Sequence, residues 1–223
     1  MSSSYTTIKV KICGVTNPDD ALAAVEAGAD ALGFVFHKAS PRYVGADVVR
    51  NIVASLPPLV LPVGVFVNEE LKKVRDLMDS CGLAVAQLHG DETATYCEEL
   101  GRPVLKAIRL RNTSSFLAMA EYKGRAQVRG FVLDAYSDAA YGGTGHVADW
   151  ALAAEAACTA PIILAGGLTS ANVREAILKV RPYGVDVSSG VEASPGKKDP
   201  AKVKGFIHAV KLVSRELEDY TPS

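Results

Sequence analysis

Asp134 closes an apolar run, Phe131-Val132-Leu133. A carboxylate delivered by a buried strand needs a partner or a raised pKa. It therefore reads as a general acid or base, with an ion pair to an inward lysine or a loop anchor as the plainer alternative. Cys13, between Ile12 and Gly14, is the second candidate. Cysteine is often inert core filler. This one ends a strand-like run, however, and Lys11 precedes it on the same face, roughly 6–7 Å away. A cation there is expected to favour the thiolate. Cys81, Cys97 and Cys158 fall in helical or loop contexts and read as structural.

Three glycine clusters supply a different chemistry. They are Gly142-Gly143-Thr144-Gly145, Ala165-Gly166-Gly167-Leu168 and Ser188-Ser189-Gly190. Glycine lets backbone N–H groups approach an anion, and a following helix start adds a positive end. The last two clusters suit a phosphate, though glycine also serves plain turns. The run containing Gly143 suits either a binding loop or a mobile lid. Arg42, in Ser40-Pro41-Arg42-Tyr43, suits a carboxylate gripped bidentately, or is a surface arginine. His89 and Asp138 are weaker candidates, and His89 can serve merely to orient a loop. No His, Asp, Glu or Cys pattern has metal-site spacing.

These groups must be positioned by something, and the apolar runs say what. Eight of them occur: Ile8–Cys13, Ala31–Phe36, Val60–Asn68, Val85–His89, Val104–Arg109, Phe131–Asp134, Pro161–Gly167 and Val185–Gly190. Their spacing of roughly 20–30 residues holds one strand and one helix. Asn17-Pro18-Asp19-Asp20, Asn68-Glu69-Glu70, Asp91-Glu92, Ser170-Ala171-Asn172 and Asp199-Pro200 read as helix starts, and Gly28, Gly82 and Gly101 as stops. A short helix over Ser115–Tyr122 is followed by a basic loop. The fold class is α/β, a single (β/α)8 TIM barrel over residues 1–223, with 1–7 a loose tail. In that fold the active site lies at the C-terminal ends of the strands, and phosphate sits after strands seven and eight. Alternation then directs Lys9, Lys11 and Cys13, Gln87 and His89, Asp134, and Asp186 and Ser188 inward.

Bulk properties narrow the partners. Lys and Arg number 24 against 25 Asp and Glu, so net charge gives no reason to expect nucleic acid or a membrane surface. The first residues lack the apolar stretch of a secretory signal, and no run approaches the ~20 residues of a membrane span. Four cysteines without metal spacing, in a chain 48% hydrophobic, are expected as reduced thiols in the cytoplasm.

Taken together, the motifs are specific. Lys9-Val10-Lys11-Ile12-Cys13-Gly14, Ser40-Pro41-Arg42-Tyr43-Val44, Gly64-Val65-Phe66-Val67-Asn68, Gln87-Leu88-His89-Gly90 and Leu133-Asp134-Ala135 resemble the phosphoribosylanthranilate isomerase family. So do the three glycine runs and Val191-Glu192 through Pro195-Gly196-Lys197-Lys198-Asp199, in order over nearly the whole chain. His146 departs from the lysine the family often carries after the first glycine run. The resemblance implies a cofactor-free Amadori rearrangement in tryptophan biosynthesis. It makes Asp134 the general acid and Cys13 the general base. It places the anthranilate carboxylate on Arg42, and the phosphate on Gly166–Gly167 and Ser189–Gly190. The implied partner is a small phosphosugar substrate. The family includes monomers, homodimers and domains fused to other tryptophan-pathway enzymes. Two other readings share the barrel: an isomerase of a histidine-pathway aminoaldose, expected to carry a carboxylate where Cys13 stands, and a non-catalytic phospholigand sensor.

Overall fold

Parallel strands cannot be joined by tight turns, so each crosses back through a helix. The computed structural model describes residues 5–110, 114–134 and 150–219, and it shows this alternation. In order come β1 (Lys9–Cys13), α1 (Pro18–Ala27), β2 (Ala31–Val35), α2 (Ala46–Ser55), β3 (Leu61–Phe66) and α3 (Leu71–Cys81). Then follow β4 (Val85–Leu88), α4 (Ala94–Leu100), β5 (Val104–Arg109), α5 (Ser114–Tyr122), β6 (Val128–Asp134) and α6 (Trp150–Ala157). The chain continues with β7 (Ile162–Ala165), α7 (Val173–Val180), β8 (Gly184–Val187), a small hairpin of β9 (Glu192–Ser194) and β10 (Lys197–Lys198), and α8 (Pro200–Asp219). Strands β1 to β8 pair in sequence and β8 closes onto β1, with Lys11 beside Asp186 in register. The architecture is the expected (β/α)8 barrel.

Helix ends follow the local chemistry. Asn17 caps α1 by accepting from the Asp20 N–H at 2.9 Å, and Gly28 ends it in the left-handed region. The fourth helix differs from expectation. It starts at Ala94, capped by Thr93 (3.2 Å from Tyr96 N), because Glu92 turns inward to bind a lysine instead. Strand β6 begins at Val128, three residues before its apolar run. Its first residues pair with β5 across a register shift, which apolar patterning does not reveal.

Two apolar layers result. Val10, Ile12, Leu32, Val104, Ile108 and their like pack outward against the helices. Inside the barrel lie smaller groups, among them Cys13, Val35 and Val65, and Ala107, Val132 and Ala165. Of residues 1–7, read as a loose tail, 1–4 lie outside the described residues. Tyr5 packs edge-on against Tyr183 at 5.0 Å, and Thr7 Oγ1 donates to Glu218 at 3.0 Å. Among the described residues no helix is long and apolar enough to cross a membrane. All four cysteines are free thiols, and only Cys158 is exposed.

Candidate active site

The inward face of β1 carries Lys11 and Cys13, as alternation requires. Their packing is tight. A Cβ on Gly33 of β2 would lie 2.8 Å from Cys13 Sγ and 3.0 Å from Lys11 Nζ, so a side chain there would displace the thiol or the ammonium. Lys11 Nζ donates to Asp186 Oδ2 at 2.9 Å, and both side chains are buried. Lys11 pulls on the thiol as expected, but burial outweighs that pull. Burial pushes the Cys13 thiol up; Lys11 pulls it down, but Asp186 opposes that pull, and the net result is a raised pKa. The lysine is shared between the thiol and the carboxylate, and the desolvation of the thiolate is the larger effect.

Three strands round the ring, β6 ends in Asp134, half-buried at the mouth. Its Oδ2 lies 3.9 Å from His89 Nε2, and His89 Nδ1 lies 3.0 Å from Gln87 Nε2. Burial holds the His89 imidazole below its ordinary value despite Asp134 nearby, so the ring is neutral at pH 7.

Arg42 is not a loose surface side chain. Its Nε and Nη2 donate to Glu192 at 2.8 and 2.7 Å. Glu192 also takes Lys198 Nζ at 2.9 Å. Burial tends to raise the Glu192 carboxyl, but hydrogen bonds from Arg42 and Lys198 win and hold it below the ordinary range.

The glycine loops stand where expected. Gly166 and Gly167 follow β7 with φ of 90° and 63°, a left-handed pair that L side chains rarely adopt. Asn172 braces that loop, with Nδ2 on Gly167 O at 3.0 Å and Oδ1 accepting from Thr169 N at 2.8 Å. Ser189 and Gly190 follow β8, and Ser188 Oγ ties that loop to β1 by donating to Cys13 O at 3.1 Å. Cys13, Asp134, Arg42, Gly166–Gly167 and Ser189–Gly190 thus line one cavity of about 470 Å³. Gly143 with the rest of its run, Asp138 and His146 lie outside the described residues. A hollow of about 520 Å³ lies alongside, between β5 and α5, and shares His89 but neither Cys13 nor Asp134.

Sequence patterning passed over Lys106 and gave Glu92 only to a helix start. Lys106 lies on the outer face of β5, fully buried, with Nζ bonded to Glu92 Oε2 at 3.0 Å. A lysine inside the run Val104–Ile108 was the available signal, since a buried strand accepts one only with a partner.

Comparison with known proteins agrees with the barrel fold and identifies its family. The family model described as N-(5'phosphoribosyl)anthranilate (PRA) isomerase matches residues 10–209. The chain is 53% identical to N-(5'-phosphoribosyl)anthranilate isomerase of Pelobacter propionicus, over 94% of this chain and 98% of that one. The crystal structure of phosphoribosyl anthranilate isomerase from Thermotoga maritima is 43% identical with a TM-score of 0.85, covering 92% of this chain and all of that one (100%). A second crystal structure, of such an isomerase in complex with reduced 1-(o-carboxyphenylamino)-1-deoxyribulose 5-phosphate, is 41% identical with a TM-score of 0.82. It covers 92% of this chain and 100% of the other.

Proposed function

The chain belongs to the N-(5'-phosphoribosyl)anthranilate isomerase family, and from that premise we propose how its own residues perform the reaction. The substrate is N-(5-phosphoribosyl)anthranilate and the product 1-(2-carboxyphenylamino)-1-deoxyribulose 5-phosphate, an Amadori rearrangement in tryptophan biosynthesis. Asp134 donates a proton to the furanose ring oxygen. The C1–O bond breaks as the nitrogen lone pair forms the C1=N double bond, and the ring oxygen becomes the C4 hydroxyl. The cationic Schiff base acidifies the proton on C2. Cys13, as thiolate, removes that proton, and the electron pair forms C1=C2 while the C1=N bond collapses onto nitrogen. The resulting enolamine takes a proton at C1 and loses one from its C2 hydroxyl to give the ketone.

The observation that carries this reading is the shared cavity, in which a thiol and a carboxyl from different strands flank one space. The raised thiol pKa is consistent with it, because the Schiff-base cation adds positive charge to that of Lys11, whose pull alone does not overcome burial. Glu192 occupies the Nε and Nη2 edge of Arg42 and leaves the Nη1 side for the anthranilate carboxylate. The glycine loops after β7 and β8 take the phosphate, so both ends of the substrate are gripped and the sugar is fixed between acid and base. Free cysteines suit a reducing cytoplasm.

The test is turnover of freshly generated phosphoribosylanthranilate, followed by loss of its fluorescence in EDTA. Asp134→Asn is expected to lose about 10²–10⁴-fold in kcat, the usual share of a general acid, with unchanged circular dichroism. Turnover near the parent rate in that variant removes Asp134 from the acid role.

A further inference from the structure

The hairpin of β9 and β10 pairs apart from the barrel, and the proposed reaction gives Lys198 no part. The hairpin sets Lys198 opposite Glu192. Lys198 is 1% exposed, and both residues stand behind the cavity rather than among those that line it. A lysine buried this deeply is costly unless its charge is answered. Its Nζ bonds two acceptors, Glu192 Oε1 at 2.9 Å and Ser188 O at 3.3 Å, as an ammonium requires. Burial pulls that ammonium below its ordinary value, and Glu192 opposes the pull.

Both bonds lead to parts of the site. Glu192 accepts from Arg42 Nε and Nη2 at 2.8 and 2.7 Å, so the lysine lies directly behind the arginine. Ser188 opens the loop of Ser189 and Gly190, and its Oγ donates to Cys13 O at 3.1 Å. The hairpin is itself firmly seated. Lys198 N donates to Asp20 Oδ2 at 2.7 Å, Lys202 Nζ donates to Glu192 O at 2.8 Å, and Thr16 Oγ1 donates to Gly196 O. A Cβ on Gly196, whose φ is 81°, would lie 2.9 Å from Pro41 O, so the turn packs onto the segment that carries Arg42. Charge completes the arrangement. Arg42 and Glu192 alone would form a neutral pair, with little attraction for an anion. Lys198 divides the Glu192 charge between two cations, and the three together carry one net positive charge.

We propose that Lys198 is a positioning residue: acting through Glu192, it keeps Arg42 aimed and electropositive for the anthranilate carboxylate. The inference rests on the role given to Arg42 in the proposed reaction and adds the residue behind it. A guanidinium with one edge bound to a seated carboxylate has few ways to turn, and the lysine is what seats that carboxylate without cancelling the arginine.

The probes are the reduced product, 1-(2-carboxyphenylamino)-1-deoxyribitol 5-phosphate, and 1-phenylamino-1-deoxyribitol 5-phosphate, which lacks the carboxylate. Calorimetry on the full chain and on Arg42→Ala, Lys198→Met and Lys198→Gln gives the ratio of the two affinities. A merely structural lysine, lost, would weaken both probes alike and leave the ratio unchanged. In the parent protein the carboxylate is expected to strengthen binding by about 10–100-fold, as charge-assisted hydrogen bonds do. Arg42→Ala should bring the ratio near one. Each lysine variant that folds by circular dichroism should lower the ratio by about threefold or more, because Glu192 then neutralises Arg42 alone. A smaller fall in either folded variant overturns the inference. So does failure of both to fold, which makes the lysine a residue of the fold. A parent ratio near one, or an unchanged ratio in Arg42→Ala, removes Arg42 from the proposed carboxylate grip, and this inference with it. A parent ratio of the expected size that the lysine variants retain overturns the inference alone.

Discussion

A buried lysine stands on β1 and another on β5, on opposite sides of the barrel wall, and the two are treated differently. Lys106 lies outside the wall, between β5 and its helices. Its ammonium is fully spent, on Leu88 O at 3.1 Å, Gly90 O at 2.6 Å and Glu92 Oε2 at 3.0 Å. Glu92 is equally occupied, accepting from Asn68 N at 2.8 Å and Gly90 N at 3.0 Å, and the Lys106 charge lies 5.7 Å from the centre of the Tyr122 ring. Lys11 lies inside the wall. It bonds one oxygen of Asp186, leaves the other bare, and sits against the thiol of Cys13. The first pair is closed and ties down the loop that carries His89. The second leaves one buried oxygen unpaired, on a residue that lines the cavity. A buried ion pair is by itself weak grounds for either role; what separates the two is whether every polar atom has been answered.

The contrast can be broken most directly at Lys106. Lys106→Met leaves the Glu92 carboxylate buried without its counter-charge, which is expected to destabilise the fold by about 3–5 kcal/mol. Urea denaturation reads this, and a loss below about 1 kcal/mol would show the closed pair to be dispensable. Next comes the open pair. Asp186→Asn frees the Lys11 charge to act on the thiol, so the pH midpoint for iodoacetamide labelling of Cys13 should fall by roughly one unit or more. In the parent protein that midpoint lies above that of an ordinary cysteine, because burial outweighs Lys11. Lys106→Met should leave it in place, and an equal fall in both variants would remove the distinction between inside and outside.

The smallest effect is expected at the intermediate case, Glu192, which is buried against Lys198 but shared with half-exposed Arg42. Its carboxyl is held below the ordinary value of 4.5. The stability it contributes is therefore complete above that value and is lost as pH falls through the lower, folded one. Comparing denaturation of the parent and Glu192→Gln from pH 6 downward should show a gap that narrows with acid. A gap that widens would reverse the sign of the linkage.

Much of the site was legible because a strand alternates with period two. That rule placed Lys11, Cys13, Gln87, His89, Asp134 and Asp186 on the inner wall before any contact was known. It could not say whom each would meet. Lys11 and Asp186 are 175 positions apart, and Arg42 and Glu192 are 150 apart. The expected pull of Lys11 on the thiol is present, but burial outweighs it and Asp186 opposes it, and neither the depth of burial nor that distant carboxylate is visible in the sequence. Glu92 was misread similarly, since an acid before a helix usually serves its N-terminus, and only the buried lysine across the wall draws it away.

The order of strands and helices, the inward set of polar side chains and the glycine loops above β7 and β8 followed from local pattern, because each depends on residues within one turn or one strand of each other. The open pair beneath Cys13 and the double hold on Glu192 were decided by closure of the barrel, and the closed pair behind β5 by the pairing of β5 with its neighbour β4. Closure brings β8 against β1 and stacks loops from distant parts of the chain at one mouth. A charge buried there takes its meaning from the partners closure supplies, and those partners are set in space rather than along the chain.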